Sequence, residues 1–561
     1  MMGLISTKKV FKGAILFFFF CFLVIPIGMV LWTAWPVQSA DPLRTIQDAF
    51  TPKWALAFEN SIKYALLGST ISTALGFLLA YGNNFSGISK RKLKVGTSLI
   101  QFPMLLPTIT YGYVLLYAFG KQGGWRQVFG HELFSIYGET GILIGFVVYT
   151  LPPIFLLINN GMQFIDFRLI SVSRLLGDSW QRSLVQTILI PLKRIIIVAL
   201  LQGFFMCFTD FGIPSAIGGQ TPLITTLLYE GFMGTIPDFQ YGSVIALTML
   251  LPSIFSIYLL HRLQKKVTKY DKASGLYLKD NPFRDHFYRV LYMLITCMIL
   301  GIFLPLFIIP FVHNWPNEFR FTLENFGQFM QNRDLLRTLQ NSITVGFLVA
   351  LIGTFCAYFA AIGSSRETDH SLSERLIDSV ATITNSIPGM VLGIAYLLVF
   401  TGTPLHNSMS ILVIVTIVHY FATPYQMAKE AMQKMNGHWE STAKLMGDSW
   451  LKTIWRVLLP NSLHTIIDMF AYYFFNAMVT ISAVVFLTSA DTMVVTAKLK
   501  ELQHFGKFND IFLLSLFLLL INLTMQFMIH LMKRSVSLHE NQKNRTFSFI
   551  SQYFKSHRSL R

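Results

Sequence analysis

The chain has 561 residues, of which 53% are hydrophobic and only 13% charged. Soluble domains carry about 25% charged residues, so this composition excludes an ordinary soluble enzyme and points to a polytopic membrane protein. The net charge of +17 reads as basic loops set by membrane topology rather than as a nucleic-acid surface, and no nucleic-acid partner is expected.

Apolar windows long enough for a helical crossing, about 20 residues each, occur twelve times. They lie near 14–35, 62–82, 97–119, 140–160, 194–216, 241–261, 289–313, 342–363, 380–401, 411–428, 464–488 and 510–532. The first follows Lys8, Lys9 and Lys12 as a signal peptide would. It continues to Trp35 with no small-residue cleavage site, so it is expected to be retained as a span. Lys and Arg are more than three times as numerous in the segments on the N-terminal side of these spans as on the other. Both termini are therefore expected in the cytoplasm, in a multi-pass protein of the cell membrane. Cys21, Cys207, Cys297 and Cys356 all fall inside apolar runs without a CxxC pair, which supports neither a disulfide framework nor a metal knuckle. His131, His261, His406, His419 and His464 show no metal-ligand spacing, and no metal site is expected.

The spans divide six and six. Asn60-Ser61-Ile62 opens the second and Asn341-Ser342-Ile343 the eighth; Pro107 has a counterpart in Pro388, and Pro153 in Pro424. Each half holds an even number of spans, so the halves run parallel, related by an axis along the membrane normal. The expected division is a first unit at 1–261, a polar linker at 262–288, a second unit at 289–532 and a basic tail at 533–561, partly disordered or on the membrane surface.

Two polar, basic gaps between long apolar segments carry the clearest duplication. Ser173-Arg174-Leu175-Leu176-Gly177-Asp178-Ser179-Trp180 recurs as Ala443-Lys444-Leu445-Met446-Gly447-Asp448-Ser449-Trp450, and the two runs end at Pro191 and Pro460. Each reads as a short helix closed by a glycine with positive φ, with Asp178 or Asp448 as the N-cap of a second helix. Gln181 would complete a capping box in the first copy. Trp450, Ile454 and Val457 recur at helical spacing and are expected to pack inward. The glycine-to-proline spacing is one residue longer in the first copy, so the second helices must differ. A helix–Gly–helix knuckle with an apolar edge suits docking into a partner's groove, although amphipathic loop helices are common in any membrane protein.

Asp210 stands near the end of the fifth span, between Thr209 and Phe211-Gly212-Ile213-Pro214. An ionisable group in a span suggests a transport path; the same residue also suits an end-cap where the helix breaks. The equivalent point of the second half reads as apolar, near Val479, with Thr480, Ser482, Thr488 and Ser489 as nearby polar candidates. Gly389 and Gly393, after Pro388, suit close helix packing.

At the two loops the chain resembles the permease subunits of ATP-binding-cassette importers. Their loop signature is EAA, three residues, Gly, and about a dozen residues to Ile/Leu-x-Leu-Pro. Gly447 to Leu459-Pro460 matches the spacing, and the EAA positions read Ser441-Thr442-Ala443 and Ser171-Val172-Ser173. The signature glutamate is missing from both, with Glu440 one residue away, which puts its family salt bridge in doubt. The resemblance covers nearly the whole chain. It implies an all-α polytopic membrane protein of about 12 transmembrane helices in two parallel six-helix repeats, the type I ABC importer permease fold. It also implies coupling to two ABC ATPase subunits through Leu175, Leu176, Gly177, Asp178, Ser179 and Pro191, and through Leu445, Met446, Gly447, Asp448, Ser449 and Pro460. An extracellular or periplasmic solute-binding protein is the third partner. No GxxxxGK[ST] phosphate loop occurs, so this chain is expected to bind no cofactor and to do no enzymatic work, with ATP-Mg on the partner subunit. The fused layout looks like the ferric-iron, thiamine and 2-aminoethylphosphonate branch. The run Thr209–Pro214 with Gly218-Gly219 looks most like the 2-aminoethylphosphonate importers, with ferric iron close behind.

Two other classes compete. A 12-span secondary transporter of the major facilitator type should carry a Gly-x-x-x-Asp-Arg-x-Gly-Arg-Arg run between spans two and three; here that loop reads Ser86-Gly87-Ile88-Ser89-Lys90-Arg91-Lys92-Leu93-Lys94. A membrane-embedded enzyme would need a convergent reactive cluster, and Asp210 stands alone in its span.

Overall fold

The computed structural model describes residues 2–36, 41–264, 281–365 and 372–558. Apolar runs whose backbone groups must be satisfied without water fold as helices. The first half contains α1 (Val10–Ala34), α2 (Pro52–Phe85), α3 (Lys90–Gln101), α4 (Thr108–Phe119), α5 (Glu139–Met162), α6 (Phe167–Leu175) and α7 (Trp180–Thr209). It closes with α8 (Gly212–Ile217), α9 (Ile224–Met233) and α10 (Phe239–Gln264). The second half contains α11 (Pro282–Ile308), α12 (Arg333–Ser365), α13 (Leu372–Ser386), α14 (Gly389–Phe400), α15 (Met409–His419), α16 (Ala422–Lys434) and α17 (His438–Leu445). There follow α18 (450–461), α19 (Leu463–Val479), α20 (Val495–His504) and α21 (Phe508–Arg558). An exposed antiparallel hairpin, β1 (Val312–Asn314) and β2 (Glu318–Phe321), interrupts an otherwise helical chain.

Starts are written locally. Thr51 and Asn281 each precede a proline, and their side chains accept from Trp54 N–H and Arg284 N–H, both at 3.1 Å. This is an N-cap followed by proline at the first helical position. Bends are written locally too. Pro107 and Pro388 hold extended backbone, with ψ of 148° and 140°. The helices on either side of them turn by 107° and 105°.

The spans differ from expectation in several places. Eight helices are long and apolar enough to cross a membrane, and eleven result if each bent pair counts once. The bent pairs are the third, ninth and tenth spans; the last breaks by 55° between α15 and α16. The eleventh, expected over 464–488, ends at Val479 and is 17 residues long. The fifth starts earlier, at Trp180, and stops at Thr209. Residues 265–280 of the expected linker lie outside the described residues, while 262–264 and 282–288 belong to α10 and α11. The backbone of the tail continues α21 as one helix to Arg558.

The halves are interlocked by their first helices. α1 packs on α14 and α12 of the second half, and α11 on α2, α3 and α4 of the first. The Tyr396 hydroxyl donates to the Phe22 carbonyl at 2.6 Å, and that of Tyr292 to the Leu79 carbonyl at 2.9 Å. Gly82 permits the second approach, since a Cβ there would sit 2.5 Å from the Tyr288 ring.

Candidate coupling knuckles and translocation path

Both knuckles form. Gly177 and Gly447 have φ of +80° and +79°. Asp178 N–H donates to Ser173 O at 3.1 Å, and Asp448 N–H to Ala443 O at 3.0 Å. These are the six-to-one bonds of a Schellman motif, which need the preceding residue in the left-handed region. Leu175, Leu176, Leu445 and Met446 are 87%, 78%, 89% and 79% exposed. Four large apolar side chains are thus held out on two rigid turns.

The capping residue differs from expectation. Ser179 and Ser449 open the second helices, accepting from Arg182 N–H and Lys452 N–H. Each aspartate N–H is instead used by the Schellman bond. The carboxylates brace the knuckle instead. Asp178 accepts from the Ser173 hydroxyl at 2.8 Å and pairs with Arg182 at 3.3 Å. Asp448, facing Ala443 in place of that serine, pairs with Lys452 at 2.5 Å and Arg456 at 3.8 Å. Gln181 is exposed.

Before each proline the helix widens into a π turn, Val185–Leu189 and Ile454–Leu458. A proline ring clashes with the carbonyl four residues back; for Pro191 and Pro460 that carbonyl lies inside the widened turn. The first copy then runs unbroken as α7, whereas the second breaks at Ser462 before α19. Ile454 is buried and Val457 half-buried. Trp450 packs edge-on to Phe11 of α1 at 6.3 Å, while Trp180 is 65% exposed.

At the other ends of α7 and α19 lies a second matched pair. Asp210 and Thr480 stop these helices with φ/ψ of −72°/132° and −72°/135°. Thr480, rather than the region of Val479, is thus the counterpart of Asp210. The Asp210 carboxylate accepts from Ile213 N–H at 2.9 Å and its carbonyl from the Thr225 hydroxyl at 3.0 Å. This is the geometry of an end-cap, with the carboxylate 8% exposed as a residue. The Thr209 hydroxyl bonds back to Phe205 O. Small residues alternate between the halves: Gly212 lies against Thr108, and Gly389 against Ser482, where an added Cβ would come within 2.2 and 2.3 Å of the respective hydroxyls. A Cβ on Gly393 would sit 2.5 Å from Ala483 O, so this glycine allows the expected close approach.

The duplicated Asn-Ser-Ile turns out to be a clip. Ser61 Oγ accepts from Ile224 N–H at 2.8 Å and Ser342 Oγ from Val495 N–H at 2.7 Å. Asn60 and Asn341 donate to the preceding carbonyls, Pro222 O in one half and Asp491 O and Met493 O in the other. Near the same end, α20 clasps the first half. Lys500 Nζ and the Gln503 amide donate to Ser215 O at 3.1 and 3.4 Å. Tyr113 of α4 donates to Leu499 O at 3.1 Å. Burial pushes the Lys500 ammonium down to about 8.

Sequence reading missed two matched aromatic groups, one in each half. Tyr111 lies edge-on to Tyr149 at 6.0 Å, Tyr420 edge-on to Tyr472 at 6.2 Å, and His419 is 4.5 Å from Tyr420. Tyr149 and Tyr420 stand four residues before Pro153 and Pro424, so the repeat itself was the available signal. Among the described residues no three His, Cys, Asp or Glu side chains converge as a metal site.

Two parallel helical halves, each with an exposed knuckle at one end and a broken helix within, define a membrane transport permease. The chain belongs to the family of binding-protein-dependent transport system inner membrane components, whose domain matches it twice, at 72–269 and 353–538. It is similar to the ferric transport system permease protein FbpB of Actinobacillus pleuropneumoniae, 23% identical over 80% of this chain and 67% of that protein. The putative ferric transport system permease protein FbpB 1 of Haemophilus influenzae is 24% identical over 78% of this chain and 70% of its own. The molybdenum transport system permease protein ModB of Haemophilus influenzae is 27% identical over 38% of this chain but 93% of itself, so one such permease corresponds to half of this molecule. The family is one of ATP-binding-cassette importer permeases, multi-pass proteins of the inner membrane that work as transporters with ATPase and binding-protein partners.

Proposed function

We propose that this chain forms the whole transmembrane pathway of an importer for ferric iron. A loaded binding protein docks on the outer loops, and two ATPase subunits, carrying ATP-Mg, dock at the Gly177 and Gly447 knuckles. Both termini lie in the cytoplasm with the knuckles, and the chain binds no cofactor of its own. Closure of the ATPase pair pushes both knuckles together, and the two halves rock to expose the pathway alternately.

The observation that carries the reading is the repetition of one rigid, apolar-tipped turn at Gly177 and Gly447. A surface that exposes leucine and methionine on a Schellman turn is completed by a groove in another protein. The choice of cargo rests on the names of the relatives that span both halves, which are ferric transport permeases. This moves the reading away from 2-aminoethylphosphonate, which had rested on the Thr209–Pro214 run alone.

The test is ATP hydrolysis in proteoliposomes holding this chain, its ATPase and its binding protein, with ferric iron, 2-aminoethylphosphonate, thiamine and polyamines offered in turn. Ferric iron is expected to stimulate hydrolysis and to enter the lumen. Stimulation by 2-aminoethylphosphonate alone would replace the cargo. Uptake driven by a proton or sodium gradient without any ATPase would replace the mechanism with that of a secondary transporter.

A further inference from the structure

The two knuckles are alike in their turns but not in what lies behind them. Trp450 opens α18 behind the second knuckle, and its ring meets that of Phe11 in α1 edge-on at 6.3 Å. Phe11 lies in turn on Phe359 and Phe355 of α12, at 5.0 and 6.5 Å. One residue on, the buried Lys12 pairs with the buried Glu374 of α13 at 3.6 Å. α13 is also tied to α16, the helix that leads into this knuckle. The Tyr425 hydroxyl donates to Asp378 at 2.5 Å, and Lys429 pairs with the same carboxylate. The second knuckle is thus fastened to α1 directly on one flank and through α13 on the other.

The first knuckle is not fastened in this way. The repeat matches Gly363, beside which Lys12 lies, with Gly82, beside which Tyr288 lies. Phe287 of α11 therefore stands to Trp180 as Phe11 stands to Trp450. Yet Phe287 and Trp180 are 48% and 65% exposed, and among the described residues the Trp180 ring meets no other aromatic ring. Leu93 holds the place of Glu374, so the ion pair has no counterpart either. α1 also reaches both halves. Its N-terminal part packs on α12 and α13 of the second half, and its far end on α10 of the first. There Ala34 shares an apolar cluster with Ala49 and with Val244 of α10. From Phe11 to Ala34 the helix spans roughly 35 Å at 1.5 Å per residue. Midway, Pro26 has no N–H to offer the Phe22 carbonyl, and the Tyr396 hydroxyl of α14 donates to it at 2.6 Å. Close-packed interiors deform little and transmit strain, so a helix gripped at both ends and at its middle passes displacement along its length.

We propose that α1 is a transmission rod between the second knuckle and the first half, with Phe11 and Trp450 as the positioning residues that join rod to knuckle. Displacement at Gly447 reaches α10 through this contact, whereas displacement at Gly177 has no matching route through α11. The two ATPase docking points are therefore mechanically unequal. The proposal rests on the importer reading above and adds which knuckle drives both halves.

The experiment uses the full chain with its ATPase in proteoliposomes and a binding protein loaded with ferric iron as the stimulus. Phe11→Ala and Trp450→Ala are each expected to lower stimulated hydrolysis roughly two- to tenfold, the scale of one lost aromatic pair. The double variant is expected to lose no more than the worse single one, because both act through one contact. Trp450→Phe keeps a ring and is expected to retain most of the activity, while Phe287→Ala stays within about twofold of the parent. A loss at Phe287 equal to that at Phe11 would overturn the rod. A second measurement needs no cargo. In a chain freed of its four native cysteines, Phe11→Cys with Trp450→Cys is bridged by a short bifunctional thiol reagent, with and without ATP and vanadate. This pair is expected to bridge at a rate independent of nucleotide state, since rod and knuckle move as one. The pair Phe287→Cys with Trp180→Cys is expected to bridge at a rate that changes. Like behaviour of the two pairs, or a change in the first, would overturn the rod. If the parent ignores the ferric-loaded binding protein, the cargo reading fails alone and the bridging rates still decide the rod. A parent to which no ATPase binds would overturn the importer reading and the rod together.

Discussion

Gly177 and Gly447 show how much one residue can decide. With φ near +80° and nothing within 4 Å of where a Cβ would lie, each position tolerates a side chain in space but not in conformation. Gly177→Ala and Gly447→Ala should each cost about 1 kcal/mol at the turn. We expect normal assembly in the membrane and a several-fold loss of cargo-stimulated ATP hydrolysis, larger in the double variant; hydrolysis unchanged in all three would remove the knuckles from the coupling route. Asp178 and Asp448 make the complementary point. Their place after a glycine looked like that of an N-cap, but the caps are made by Ser179 and Ser449, while the aspartate carboxylates turn to the Ser173 hydroxyl and to basic neighbours. Aspartate and serine are both good cap acceptors, and residue identity alone does not say which of two neighbours will cap.

At the scale of elements, the duplicated Asn-Ser-Ile was visible as a repeat, but its task was not. Ser61 and Ser342 each satisfy a buried N–H at the start of a helix more than 150 residues away in sequence, Ile224 in α9 and Val495 in α20. Ser61→Ala and Ser342→Ala leave those groups without a partner, at about 1–3 kcal/mol each. Both variants should unfold at a lower temperature in detergent, by similar amounts. Ser379→Ala, at an exposed helical site, should not; a clip variant that melts with the parent would show the bond to be dispensable. The bends were partly legible, because Pro107 and Pro388 forbid regular helix locally. The end of α19 at Val479 was not, since the apolar run continues past it to Leu487. Hydropathy reports burial in lipid or protein alike, and here the segment after Thr480 is buried in protein as irregular chain.

Across the whole molecule, the halves are held together by exchange of their first helices and by the clasp of α20 on α8. Lys500 sits at that clasp with an ammonium held near 8, against about 10.4 when unfolded. Between these values the unfolded chain holds a proton that the folded chain has released, so this group makes stability rise as pH climbs through that window. Below pH 8 the charge is held in a buried place at a cost. Thermal unfolding of the parent and of Lys500→Met, followed from pH 7 to 10, should show the parent gaining on the variant above pH 8. A constant difference between them would mean that Lys500 titrates as an exposed lysine.

The division of labour between sequence and tertiary structure follows from what is local. Apolar runs, prolines, glycines and their recurrence are properties of short stretches, and they sufficed for a helical membrane protein made of two parallel units with two matched knuckles. They also sufficed for the family, because the knuckle is itself a short stretch. Only the tertiary structure decided that α1 and α11 cross to the opposite halves, that Ser61 and Ser342 reach the N–H groups of Ile224 and Val495, and that Lys500 reaches Ser215 O. Each of these is a contact between segments far apart in the chain, set by which faces pack and where small residues such as Gly82 and Gly389 let backbones approach. No one-dimensional pattern records which face of one helix will meet which face of another.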